Sequence, residues 1–89
     1  MPLELAVVKW DDIEPSDFEY DFDNDELSRH RVTFEEAIQV FENEYRVLRN
    51  KGERDRRQIL GVTDGGRRLK LIVQIKPGNV IRIITGWGR

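Results

Sequence analysis

Clustered arginine and lysine residues are the side chains of this sequence that are best suited to chemistry. Guanidinium groups hold phosphates bidentately and stabilise negative charge that develops on a phosphoryl group. The pattern therefore predicts a phosphate-binding surface, and the alternative is a solvated hairpin in which acidic residues alternate with the cations. The clustered basic residues are Arg46, Arg49, Lys51, Arg54, Arg56 and Arg57, followed by Arg67, Arg68, Lys70, Lys76 and Arg82.

The one histidine of the chain, His30, lies between Arg29 and Arg31. An imidazole is well suited to act as a general base, here toward a ribose 2′-hydroxyl next to a phosphate. A histidine at the end of a helix is also often a cap or a packing residue, so both roles stay open. With no cysteine and one histidine, the sequence excludes a thiolate or multi-histidine metal site, and we expect no metal cofactor.

Four aromatic residues could stack on exposed bases, as they do in readers of single-stranded RNA. The alternative is that they are anchors in the core or toward a partner. They are Trp10, Tyr20, Tyr45 and Trp87.

Charge divides the 89-residue chain into two unlike parts. Residues 1–27 contain ten acidic residues and one lysine, whereas residues 28–89 contain fourteen basic and seven acidic residues. We interpret residues 1–18 as an acidic extension, either a solvated linker or an electrostatic cover that competes with nucleic acid, and residues 19–89 as one domain. No apolar run is long enough to cross a bilayer, and we expect a cytoplasmic protein.

The elements that would position these residues begin with helices. Apolar residues recur at helical spacing from Phe34 to Phe41, which predicts a helix over 33–43. Thr33 and Glu36 form a capping box at its start. A shorter helix is expected over 23–30, with Asp23 or Asn24 as its cap.

Strands follow the helices. Alternating apolar residues predict strands over 44–49, 57–62, 69–76 and 80–85, and an edge strand is expected near residues 3–10. Hairpin turns are expected at Asp64-Gly65-Gly66 and Lys76-Pro77-Gly78-Asn79. This order indicates an α+β fold, with N-terminal helices packed on an antiparallel sheet of about four strands.

Several short motifs occur in order between residues 19 and 86. They are Arg29-His30-Arg31-Val32-Thr33-Phe34-Glu35-Glu36-Ala37 with Val40-Phe41, then Arg57 to Val62, Asp64-Gly65-Gly66-Arg67 and Val80-Ile81-Arg82-Ile83-Ile84-Thr85. In order and spacing they resemble the BrnT-type toxins, which are RelE-like ribonuclease toxins of bacterial type II toxin-antitoxin systems. That family usually has glycine at the position of Arg31. It also continues into a C-terminal helix where this chain has Gly86-Trp87-Gly88-Arg89.

The resemblance implies a RelE-like fold and a metal-independent endoribonuclease in which a 2′-hydroxyl attacks the adjacent phosphate. It implies a ribbon-helix-helix antitoxin as the partner and RNA as the substrate, and it leaves a homo-oligomer open. An alternative of another class is a non-catalytic binding or regulatory module that retains the fold and binds a protein partner. The catalytic residues carried over by the resemblance are His30, Arg57, Arg67 and Arg82, and the RNA-binding residues are Arg54 and Lys70.

Overall fold

A computed structural model describes residues 18–50, 52–78 and 80–89, which contain one α-helix and five β-strands. A 3-10 turn, Ser28–His30, precedes the helix. The strands form one open sheet in the order β1-β5-β4-β3-β2. No helix in this part of the chain is long and apolar enough to cross a membrane. The elements are β1 (Phe18–Tyr20), α1 (Phe34–Glu42), β2 (Tyr45–Arg49), β3 (Arg56–Val62), β4 (Arg68–Lys76) and β5 (Val80–Gly88).

The α+β class is confirmed, and β2 to β5 pair antiparallel with their neighbours in the chain, as the alternation predicts. The expectation of a wholly antiparallel sheet of about four strands is wrong, because β1 is a fifth strand that pairs parallel to β5. A three-residue strand is too short to show a clear alternation. β5 also continues three residues beyond the predicted end at Thr85. The edge strand expected near residues 3–10 lies outside the described residues.

The predicted helix is confirmed as α1, together with its capping box. The Glu36 backbone N–H donates to the Thr33 hydroxyl and the Thr33 N–H donates to the Glu36 carboxylate, each over 3.0 Å. Both bonds satisfy donors that the first turn of a helix leaves unpaired. On its buried side, α1 contributes Ala37 and Val40 to the core. The helix approaches β3 closely at Gly61, where a Cβ atom would lie 2.7 Å from Val40 Cγ1.

The prediction of a helix over 23–30 is wrong, because only the short 3-10 turn forms there. The Asp21 carboxylate accepts hydrogen bonds from the backbone N–H groups of Asp23 and Asn24, over 3.1 and 3.2 Å. The Asp25 carboxylate accepts one from the Ser28 N–H over 3.2 Å. These side chains take backbone donors into local turns, which is the usual way in which aspartate competes with helix formation. Asp21 and Asp25 therefore accept the local backbone N–H groups, and the 3-10 turn begins after Leu27, which makes no side-chain capping bond, rather than after Asp23 or Asn24.

The sheet has a core face, on which α1 packs, and an opposite face, called the outer face below. Along β3 and β4 the buried residues alternate with half-buried ones, so the two faces follow from the two-residue period of a strand. The buried apolar core consists of Leu27, Val32, Ala37, Val40, Ile59, Leu69, Leu71, Val73, Ile81 and Ile83. The cations on the outer face are Arg46, Arg56, Arg68, Lys70, Lys76 and Arg82.

A β-bulge interrupts the pairing of β4 with β5. Ile72 pairs with Thr85 whereas Val73 pairs with Ile83, which leaves Ile84 as an extra residue in β5. Beyond a one-residue bulge the side chains of a strand exchange faces. Ile83 is buried on the core face. Trp87 is four residues further along, which would place it on the same face in a regular strand, but the bulge puts it on the outer face.

Candidate nucleic-acid interface

The half-buried indole of Trp87 is the centre of the candidate site. Lys70 is its cross-strand partner on β4, and the Lys70 Nζ atom lies 6.0 Å from the centroid of the indole ring. The His30 imidazole lies beside the same indole, with ring centroids 5.9 Å apart and planes inclined by 57°. A cation at this distance is attracted to the aromatic ring. The structure thus brings two residues predicted for the site, His30 and Lys70, to one aromatic side chain.

The position of His30 depends on the turn that contains it. Leu27 is fully buried at the start of this turn, and it packs near Gly86, where a Cβ atom would lie 3.2 Å from Leu27 Cδ2. Arg31 ends the turn in the left-handed conformation, with φ 60° and ψ 39°, and its N–H donates to the Ser28 carbonyl. The chain therefore reverses immediately after His30, which leaves the imidazole exposed beside the end of β5.

Arg67 reaches the same end of β5 from the turn before β4. Its Nη1 atom donates to the Arg31 carbonyl over 2.6 Å and to the Glu36 carboxylate over 3.1 Å. Its Nη2 atom lies 3.4 Å from the place that a Cβ atom of Gly88 would take. The side chain of Arg67 is 37% exposed and therefore partly open to solvent beside Gly88. Arg67 is thus the third predicted site residue in this neighbourhood.

Arg82 lies on the outer face at the opposite end of β5, five residues before Trp87. Glu19 of β1 is its cross-strand neighbour, with 3.6 Å between Arg82 Nη1 and Glu19 Oε1. Lys76 donates to the same carboxylate over 2.8 Å. This hydrogen bond holds the pKa of Glu19 below its usual value. The structure therefore places Arg82 in an ion-pair cluster rather than beside His30.

Arg57 and Arg54 lie at the end of β3 that is far from Trp87. Arg57 is only 8% exposed, and its Nη1 atom donates to the carbonyls of Arg54 and Arg56 over 2.6 and 2.8 Å. Arg54 itself is an exposed residue of the connecting loop. Because Arg57 pairs with Val73, it is about six strand positions, roughly 20 Å, from Arg67, and these two residues lie at different ends of the sheet.

The other aromatic residues have different surroundings. Tyr20 stacks on Phe34 with 5.6 Å between ring centroids, and Tyr45 contacts Phe41 edge-on at 5.3 Å. Both tyrosines pack against the core, as the anchor interpretation expects. Trp10 lies outside the described residues. The sequence could suggest Trp87 by its type, but nothing in the pattern indicated the bulge that places it beside Lys70.

The arrangement at the end of β5 combines an aromatic surface, an imidazole and two cations. An indole can stack on a nucleobase, cations can hold the adjoining phosphates, and an imidazole can accept a proton from a hydroxyl. Comparison of the sequence with protein-family models and with curated proteins, and of the structure with solved structures, finds no match. The function of this chain is therefore inferred from the geometry of these residues.

Proposed function

We propose that this protein binds single-stranded RNA on the outer face of its sheet, with Trp87 as the stacking platform. The observation that carries the proposal is the contact of one indole with both Lys70 and His30. Stacking of a base on an aromatic side chain contributes about 1–3 kcal/mol. The bases of a single strand are free to make this contact, whereas those of a duplex are stacked on one another. We therefore expect the protein to prefer single-stranded to double-stranded RNA.

The charge of the outer face supports the same proposal. Six cations occupy it in the described strands, and its acidic residue, Glu19, is already paired with Lys76 and Arg82. Phosphates of a bound strand would replace small counterions near these cations, which makes binding favourable and dependent on salt. The indole then lies at one end of a basic surface, which is the arrangement that sequence-independent binders of single strands use.

Replacing Trp87 by leucine tests this proposal, because leucine keeps an apolar side chain but removes the stacking surface. We expect the dissociation constant for a single-stranded RNA to rise by the equivalent of about 1–3 kcal/mol at constant salt, measured by fluorescence anisotropy. The matched control is Phe22→Leu, since Phe22 is another exposed aromatic residue, 63% exposed and in contact with Tyr20 and Phe34 rather than with the site. Equal affinities of both variants and the unchanged protein would contradict the proposal.

A second candidate function is cleavage of the bound strand, as the resemblance to the BrnT-type toxins implies. It is favoured by the presence of His30, Lys70 and Arg67 at one end of β5. In this reaction His30 takes the proton of a ribose 2′-hydroxyl, whose oxygen forms a bond to the adjacent phosphorus. The bond from phosphorus to the 5′-oxygen breaks, and that oxygen takes a proton from water. Lys70 and Arg67 stabilise the charge on the pentacoordinate phosphorus, and the products are a 2′,3′-cyclic phosphate and a 5′-hydroxyl.

Incubation of a single-stranded RNA with the protein and EDTA tests the cleavage hypothesis. We expect products ending in a 2′,3′-cyclic phosphate, detected by mass spectrometry, and a loss of at least about 100-fold in rate for His30→Gln. In bacteria, expression should stop growth with loss of RNA, and the variant should not. Co-expression of a ribbon-helix-helix antitoxin from the same operon should restore growth. Tight RNA binding without any cleavage would instead favour the non-catalytic binding module.

A further inference from the structure

An open groove of about 1060 Å³ lies along β2 and β3, where α1 connects to the sheet. Leu60 forms part of its lining, and three guanidinium groups surround it, those of Arg46, Arg68 and Arg89. None of these arginines forms an ion pair with a carboxylate of the described residues. Glu42 and Glu44 also line the groove, next to the connection from α1 to β2. Their charges repel a phosphate from that side, which leaves the arginine side as the place where an anion is stabilised.

The groove and the stacking platform belong to one row of the sheet. Arg46 pairs with Leu60, Leu60 with Lys70, and Lys70 with Trp87, so these four residues follow one another across β2, β3, β4 and β5 on the outer face. Neighbouring strands are about 4.8 Å apart, and the row is therefore about 14 Å long from Arg46 to Trp87. Arg68 lies beside this row on β4, two residues before Lys70, and it lines the groove together with Arg46. Its carbonyl accepts the backbone N–H of Arg89.

The length of this row can be compared with the spacing of nucleotides. A stacked strand has one phosphate every 3.4 Å, and an unstacked, extended strand has about twice that spacing, roughly 6–7 Å. Two such steps cover the distance from Trp87 to Arg46. A base on Trp87 would thus have its first phosphate near Lys70 and its next phosphate at the groove.

We propose that single-stranded RNA lies across the β-strands along this row, with one base on Trp87 and the second phosphate after it held by Arg46 and Arg68 in the groove. This inference rests on the proposed RNA binding and specifies its footprint, which is three nucleotides. Lys70 contacts the phosphate between the first and second nucleotides. The groove contacts the phosphate between the second and third.

The length of the RNA tests this footprint directly. Oligouridylates of two, three, four and six nucleotides are titrated into the full chain at constant salt, by isothermal calorimetry. We expect the affinity to rise about tenfold from two to three nucleotides, because a second phosphate then reaches the groove, and to rise only slightly beyond three.

Charge removal on the two faces of the sheet provides the matched variants. Arg46→Gln and Arg68→Gln should each weaken binding of the trinucleotide about tenfold and leave binding of the dinucleotide unchanged within about twofold. They should also lower the slope of log affinity against log salt by about 0.7. Arg49→Gln removes one positive charge from β2, the strand that also contains Arg46. Arg49 pairs with Arg57 on the core face, so this variant should bind both oligonucleotides with unchanged affinity.

The outcomes separate this inference from the proposed function. Binding that depends on Trp87 but shows no step in affinity between two and three nucleotides would overturn the footprint and leave RNA binding standing. An equal loss for Arg49→Gln and Arg46→Gln would also overturn it, since the groove would then have no special role. Absence of binding to RNA of any length would overturn both proposals.

Discussion

At the scale of single residues, the structure assigns very different surroundings to arginines that look alike in the sequence. The guanidinium of Arg57 is buried and donates to two backbone carbonyls, which ties β3 to the loop before it. Arg67 joins the turn before β4 to α1 through Glu36 and to the 3-10 turn through the Arg31 carbonyl. Arg46 and Arg68 lie exposed beside the groove. A buried arginine with satisfied donors holds the fold, whereas an exposed one is available to a ligand.

Arg57→Ala should therefore lower the free energy of unfolding. Loss of hydrogen bonds from a charged donor costs about 1.5–3 kcal/mol, and the carbonyls of Arg54 and Arg56 each lose one donor. Urea denaturation followed by circular dichroism measures this loss. Arg54→Ala is the control, because Arg54 is exposed and its replacement should change the unfolding free energy by less than about 0.5 kcal/mol. A stable Arg57→Ala protein that loses RNA cleavage would contradict the structural role and support the predicted catalytic one.

Deprotonation of the Tyr20 hydroxyl should lower the free energy of unfolding in alkaline solution. Burial, together with the hydrogen bond that the hydroxyl donates to the Asp25 carboxylate, raises the pKa of Tyr20 to about 12. Because the folded pKa exceeds the usual value of about 10, the fold favours the protonated form. Its contribution is complete below about pH 10 and disappears as the pH rises toward 12.

Urea denaturation between about pH 9 and pH 12 measures this dependence. Tyr20→Phe should be less stable near neutral pH, because the Leu27 N–H then loses its acceptor at 2.8 Å. The difference in stability between the two proteins should shrink as the pH rises through the titration of Tyr20. A constant difference over this range would contradict the assigned pKa.

At the scale of elements, close packing of α1 on β3 depends on the absence of a side chain at Gly61. A Cβ atom there would lie 2.7 Å from Val40 Cγ1 and 3.1 Å from the Cβ atom of Tyr45. The valine is branched at Cβ and has little freedom to turn away. The helix and strand would have to separate for any larger residue to fit.

Gly61→Ala should consequently destabilise the protein by about 1–3 kcal/mol, the usual cost of overpacking. Thermal or urea denaturation measures it. Gly65→Ala is the matched control, because the nearest atom to a Cβ atom at Gly65 is Thr63 Oγ1, 3.9 Å away, and Gly65 does not need a positive φ. Similar losses for the two variants would mean that the contact with Val40 relaxes without cost.

The elements also show what the sequence could predict. The capping box of Thr33 and Glu36 and the alternation along β3 and β4 are local signals, and both led to correct elements. The 3-10 turn was missed because Asp21 and Asp25 compete for backbone donors, and competition of this kind is decided by small energy differences. The bulge at Ile84 and the pairing of β1 with β5 arise from contacts between distant segments, so no window of neighbouring residues contains them.

The candidate site could be predicted in part. Residue type placed His30, Lys70 and Arg67 among the candidates, the family resemblance selected them, and the structure brings these three to the end of β5. Residue type could not separate them from Arg57 and Arg82, because burial and the pairing with Glu19 depend on the sheet. Arg46 and Arg68 were named only as members of the basic cluster, since their common groove requires the register of β2, β3 and β4.

At the scale of the whole molecule, the charge of the chain is divided along its length. Residues 1–17 contain five acidic residues and one lysine and lie outside the described part of the chain, whereas the outer face is basic. If the two compete electrostatically, RNA binding depends on this segment as well as on the sheet. Phe18 belongs to β1 and contacts Phe41 at 4.7 Å between ring centroids. A truncated protein therefore has to retain Phe18 and lose only residues 1–17.

Deletion of residues 1–17 should strengthen binding of single-stranded RNA, and more so at about 50 mM than at about 200 mM salt, because salt screens competition between charges. Fluorescence anisotropy at both salt concentrations measures the change. Replacing the five acidic residues in this segment by asparagine or glutamine removes their charge without shortening the chain. This control variant should have the same effect as the deletion. Equal RNA affinity of all three proteins at low salt would exclude the competition.

The extra residue in β5 has a consequence for how this surface tolerates a change in the length of the chain. Ile84 corresponds to one codon, and removing it would restore the two-residue period through β5. Thr85, Gly86 and Trp87 would then follow Ile83 in unbroken pairing with Ile72, Leu71 and Lys70, so the indole would stay on the outer face. The indole thus keeps its side of the sheet with or without Ile84, and a one-codon deletion at this position, which substitution libraries never sample, should leave RNA binding intact.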